Sequence, residues 1–146
     1  MLKGIDRTMS AELLMVLMSM GHGDDLVICD VNHPAVTIAK STTYGRLVDM
    51  AGCDLPRAAE AILSLMPLDT FSEAPVFRMK VVGDPERIMP IHERMQLTID
   101  RLEGRSVPVA ALERFDFYAA AKKSFAIVRT SDLGPYGCFI LRKGVI

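Results

Sequence analysis

Apolar residues recur at helical spacing at Leu13, Leu14, Leu17 and Met18, behind Ser10, which can cap a helix, and ahead of Gly21, which can stop one. The pattern predicts a first helix ending at His22. Leu26-Val27-Ile28-Cys29 is a continuous apolar run that suits a buried central strand ending at Asp30, with Asn32 and Pro34 forcing a turn. Gly45 to Met50 reads as a strand. Asp54 and Pro56 read as the N-cap and first turn of a helix through Ala58, Ala59, Ile62 and Leu63, ended by Pro67. Val76 to Val82 predicts another strand, Pro85 to Leu102 an amphipathic helix disturbed near its start by Pro90, and Leu112 to Lys123 a further helix. Phe125 to Val128 and Phe139 to Leu141 predict two more strands, separated by the turn-rich stretch Ser131 to Gly137. This alternation predicts a single α/β domain over residues 1–146, with a mixed, mostly parallel sheet and helices on both faces.

Composition narrows the partners. Half of the 146 residues are apolar, a quarter are charged and the net charge is −1, so the chain is a folded domain without the basic field that draws nucleic acid or anionic lipid. The apolar stretch Leu13 to Met20 is too short to span a bilayer. No membrane partner is expected. Cys29, Cys53 and Cys138 lack CxxC spacing and read as reduced thiols; with no signal peptide visible, a cytoplasmic location is expected.

Polar side chains concentrate at the ends of the predicted elements: Gly21 to Asp24 with Asp30, Arg114 to Tyr118, and Tyr136 to Cys138. His22, flanked by two glycines, is either an acid/base residue or a histidine stabilised by the negative end of the preceding helix. Asp30 either binds hydroxyls, orients His22 or simply opens a turn. Arg114 is either a solvated helix charge or a guanidinium fork for vicinal hydroxyls. Phe115, Phe117 and Tyr118 either stack on a ligand or pack in the core, and the Tyr136 hydroxyl can both donate and accept. His33 and His92 lack ligand-like spacing, so no metal site is expected, and the glycines show no nucleotide-binding pattern, so no cofactor is expected. Cys138 reads as a buried thiol.

Taken in order, Met1 to Ile5, Glu12-Leu13-Leu14, Met20 to Asp24, Asp30-Val31-Asn32-His33-Pro34, Pro67 to Thr70, Arg114 to Tyr118, Ala121 to Lys123, Tyr136-Gly137 and Leu141 to Val145 closely resemble the fucose mutarotase and ribose pyranase family. The resemblance runs nearly the whole length. It implies a proton donor at His22, substrate-binding side chains at Asp30 and Arg114, and a sugar-lining segment at Tyr136, Gly137 and Cys138, with His33 and Tyr118 on the pocket wall. Gly23 and Gly137 are similar to the fucose branch, whereas the ribose branch reads Gly-His-Thr-Asp and Tyr-Ala-Asn. Cys138 stands where the family usually has Asn, and His33 where it has Phe. The resemblance further implies anomer interconversion of a free monosaccharide, fucose first, and a ring-shaped homo-oligomer, usually a decamer, with sites near subunit boundaries. The alternatives are a ribose pyranase-type isomerase, a non-catalytic monosaccharide-binding module and an oligomeric scaffold.

Overall fold

A computed structural model describes residues 2–146; Met1, the first residue of the resemblance, lies outside the described residues. The elements, in order, are α1 (Ala11–Ser19), β1 (Asp25–Cys29), α2 (Ala35–Ala39), β2 (Leu47–Met50), α3 (Leu55–Leu63), β3 (Val76–Met79), α4 (Pro90–Glu103), β4 (Val109–Leu112), α5 (Arg114–Lys123), β5 (Ala126–Thr130) and β6 (Cys138–Arg142). They build one six-stranded sheet in the order β2-β5-β1-β6-β3-β4. Pairs β2/β5, β5/β1 and β3/β4 are parallel, while β6 runs antiparallel to both β1 and β3. The expected mixed, mostly parallel sheet is present.

Alternation along β1 divides the core. Leu26 and Ile28 face the cluster that includes Leu13, Leu55 and Met95 from α1, α3 and α4, whereas Val27 and Cys29 face Ile38 and Phe117 from α2 and α5. Helices therefore cover both faces. Caps set the first turns: the Ser10 side chain accepts from the Leu13 N–H, and Asp54 from the Arg57 N–H.

Several boundaries differ from the sequence reading. Helix α1 ends at Ser19, and its C-cap Met20 is extended, so Gly21 does not stop it; Gly23 is the glycine that takes a positive φ, 84°. Helix α4 starts at Pro90 rather than Pro85, because proline fits the first helical turn, where its missing N–H is no loss. Leu112 belongs to β4, and the helix expected from it starts at Arg114. The strand predicted to Val82 ends at Met79, and the short α2 follows Pro34, where only a turn was expected.

Connection length explains β6. Residues 131–137 are too few for the crossover that a parallel strand requires, so the chain turns over the C-terminal end of β1 and comes back antiparallel beside it. Tyr136 and Gly137 thereby land against Asp30.

Candidate active site

Asp30 closes β1 and is buried. Its Oδ1 accepts from the backbone N–H groups of Asn32 (2.8 Å) and His33 (3.1 Å), and its Oδ2 from that of Gly137 (2.8 Å). The Asp30 N–H in turn donates to the Gly137 carbonyl at 2.7 Å. Burial raises the Asp30 carboxyl above its ordinary value and the Asp132 charge adds to this, while the three backbone donors oppose the shift. A Cβ at residue 137 would lie 2.5 Å from Leu55 Cδ1 and 3.2 Å from Asp30 Cβ, so any side chain there requires Leu55 to shift.

Around this carboxylate the fold gathers His33, Arg114, Tyr118, Tyr136 and Cys138 into a pocket of about 160 Å³. Arg114, at the first turn of α5, is exposed and lies 4.9 Å from the Phe115 ring centroid. Phe117 is core, Phe115 is exposed, and Tyr118 meets the His33 ring edge-on at 5.4 Å. Burial lowers the His33 imidazole to about 4 and pushes the Cys138 thiol well up, so both are neutral at physiological pH. Their Nδ1 and Sγ atoms lie 3.5 Å apart, and His33 Nε2 has no hydrogen-bond partner among the described residues. Tyr136 is the one described non-glycine residue with a positive φ, 62°, a conformation that costs roughly 1–3 kcal/mol and concentrates at functional sites. Its hydroxyl accepts from the Val82 N–H at 3.1 Å, which leaves the phenolic O–H to donate elsewhere.

His22 is not in this pocket. The Gly23 N–H donates to the carbonyl of Lys143, just past the end of β6, whereas Gly137 and Cys138 stand at its beginning. The five residues of β1 put about 13 Å of strand between the two ends. Asp30 therefore does not orient His22 within one chain, contrary to one sequence expectation. Asp69 does: its Oδ1 lies 3.1 Å from His22 Nε2. The Ser72 hydroxyl beside it and the backbone N–H groups of Phe71 (3.1 Å) and Ser72 (3.0 Å), joined by His22, hold the Asp69 carboxyl well below the usual carboxylate range. An ionised carboxylate only accepts, so Nε2 carries a proton and Nδ1 is the free nitrogen. The imidazole is half-exposed and meets the Phe71 ring edge-on at 5.5 Å.

Sequence reasoning gave Asp69 no role. Its signal lay in the Pro67 to Thr70 match, but the pairing spans 47 residues and depends on β6. The Asp69 N–H donates to the Arg142 carbonyl at 3.0 Å, and Lys143 Nζ caps α1 through the carbonyls of Leu17 and Met20.

Fold and site together define a class of small α/β protein: a six-stranded mixed sheet whose central strand carries a buried carboxylate at one end and a carboxylate-oriented imidazole near the other. The chain belongs to the RbsD / FucU transport protein family, whose model matches residues 3–146. It is 42% identical to the fucose mutarotase of Homo sapiens, over 99% of this chain and 94% of that protein. The crystal structure of the fucose mutarotase in complex with L-fucose from Streptococcus pneumoniae is similar at a TM-score of 0.89, with 35% identity over 99% of each chain. Bacillus subtilis RbsD, solved with D-ribose, shares the fold at a TM-score of 0.74 and 20% identity, over 100% of this chain and 99% of that one. No helix among the described residues is long and apolar enough to cross a membrane.

Proposed function

We propose that this protein is an isomerase, a mutarotase that interconverts the α and β anomers of L-fucose. The observation that carries the reading is the 42% identity to a fucose mutarotase across 99% of the chain. The ribose alternative rests on a 20% likeness, which supports the fold alone. A non-catalytic sugar-binding module would have no use for an imidazole held by an ionised carboxylate, so the His22–Asp69 pair favours catalysis over binding alone.

Only protons and one ring bond need move. As the ring oxygen gains a proton, the anomeric hydroxyl loses one, the C1–O5 bond breaks, and C1 becomes an aldehyde carbon. Rotation about C1–C2 and the reverse steps close the ring on the other face. His22 moves the proton at Nδ1, with Nε2 held by Asp69. Asp30, Arg114 and the Tyr136 to Cys138 segment hold the sugar hydroxyls, with His33 and Tyr118 as walls. General acid/base catalysis contributes roughly 10²–10⁴-fold to such a step.

Since His22 and this pocket lie at opposite ends of β1, the reading requires two copies of the chain, His22 of one completing the pocket of another. A pocket of about 160 Å³ is smaller than the roughly 300–1,000 Å³ of most ligand sites, as half a shared site would be. Exposed Met18, Phe71, Leu97, Phe115 and Leu133 offer apolar surface for such contacts. We take the assembly to be the decamer that the family resemblance implies, in the cytoplasm.

Saturation-transfer NMR on equilibrated sugars reports anomer exchange without net product. The protein is expected to accelerate exchange of L-fucose above that of D-ribose and D-galactose; acceleration of none at ample concentration overturns the enzyme reading.

A further inference from the structure

The pocket's carboxylate is held from behind by a residue that lines a different cavity. His92, on the first turn of α4, is buried, and its ring meets Phe139 of β6 edge-on at 6.0 Å. The Met89 N–H points at Nδ1 at 3.2 Å, and a backbone amide only donates, so Nδ1 is an acceptor and the imidazole proton sits on Nε2. Nε2–H then donates to the Tyr136 carbonyl oxygen at 3.2 Å. Burial lowers the His92 pKa, keeping this neutral form, and the Arg78 charge acts in the same direction.

The Tyr136 C=O and the Gly137 N–H belong to one peptide unit. That unit is planar, with its oxygen and hydrogen on opposite sides, so fixing one fixes the direction of the other. His92 holds the oxygen, and Asp30 Oδ2 takes the hydrogen at 2.8 Å. The same peptide follows the left-handed Tyr136, whose conformation must be over-determined by its surroundings to persist.

We infer that His92 is a positioning residue for the sugar pocket: through its neutral Nε2–H tautomer it clamps the 136–137 peptide, and so sets both the Asp30 carboxylate and the left-handed placement of the Tyr136 ring. It touches no substrate. A larger cavity of about 540 Å³, lined also by Arg78, Glu93 and Gln96, lies beside the clamp.

The inference rests on the mutarotase reading only in its sugar readout, so the test has two arms. His92→Phe keeps an aromatic ring against Phe139 and removes both hydrogen bonds, whereas His92→Gln keeps one acceptor and one donor. Amide hydrogen exchange by mass spectrometry is expected to show the 133–138 segment of His92→Phe exchanging about tenfold or more faster than in the parent, with β1 and β5 segments unchanged. His92→Gln should recover most of that protection. L-Fucose affinity should fall about tenfold in His92→Phe and recover in His92→Gln, with exchange at saturating sugar within roughly threefold of the parent in both. Unchanged protection and affinity in His92→Phe overturn the clamp. If His92→Phe fails to fold, the parent decides: exchange of its 133–138 segment at the rate of the exposed 86–88 loop means that no clamp exists. Failure of the mutarotase reading would instead appear as absent sugar exchange with the protection pattern intact.

Discussion

At the scale of single residues, the site depends on which groups keep their protons. The His22 Nε2–H is committed to Asp69, so only Nδ1 is free to act. His22→Gln can still reach Asp69 but cannot accept and return a proton, so anomer exchange is expected to fall by roughly 10²-fold or more with sugar affinity within about tenfold. Saturation transfer and calorimetric titration on the same sample separate the two effects; retained exchange would remove His22 from catalysis. His33 makes a second prediction. Its imidazole is lowered to about 4 in the folded protein against an ordinary 6.5. The unfolded chain therefore takes the proton first, and stability falls as pH drops from 6.5 toward 4, then levels off, a loss of up to about 3 kcal/mol. His33→Phe should flatten part of that slope in urea titrations at pH 7, 5.5 and 4.5. An unaltered slope would show that His33 is solvated.

At the scale of elements, legibility followed the strength of the local signal. β1, β5 and β6 are built on continuous apolar runs, Leu26 to Cys29, Ala126 to Val128 and Cys138 to Leu141, and α1 and α3 follow Ser10 and Asp54, whose side chains do cap them. β4 was hidden because Val109–Leu112 is short and half-buried throughout, with one residue between it and α5, so it reads as the start of that helix. The site was legible as residues but not as an arrangement. Asp30 and Tyr136 to Cys138 meet because β6 returns antiparallel beside β1, while His22, only eight positions before Asp30, is carried away from it by the strand between them. One junction is open to a stability test, where residues 131–137 press on the N-terminus of α3. Gly137→Ala would drive a methyl into Leu55, itself fully buried, and against the Asp30 side chain. A loss of roughly 1–3 kcal/mol in unfolding free energy, together with weaker sugar binding, is expected. Parent-like urea midpoint and affinity would mean that Leu55 yields without cost.

At the scale of the whole molecule, the proposed mutarotase reading calls for more than one copy of the chain. A single chain carries a pocket at one end of β1 and the His22–Asp69 pair near the other, so under that reading each site draws on two chains. Subunit mixing reads this directly. His22→Gln leaves the pocket intact, and Arg114→Ala, at an exposed position, leaves the imidazole intact. Each variant alone is expected to be nearly inactive at low L-fucose. Unfolded together at equal amounts and reassembled, about a quarter of the sites would combine an intact pocket from one chain with His22 from the other, for random assembly of equivalent copies. Anomer exchange measured by saturation transfer should then recover to about a quarter of the parent rate per chain. Exchange no higher than the average of the two separate variants, in a mixture shown by native mass spectrometry to contain mixed oligomers, would contradict the shared site.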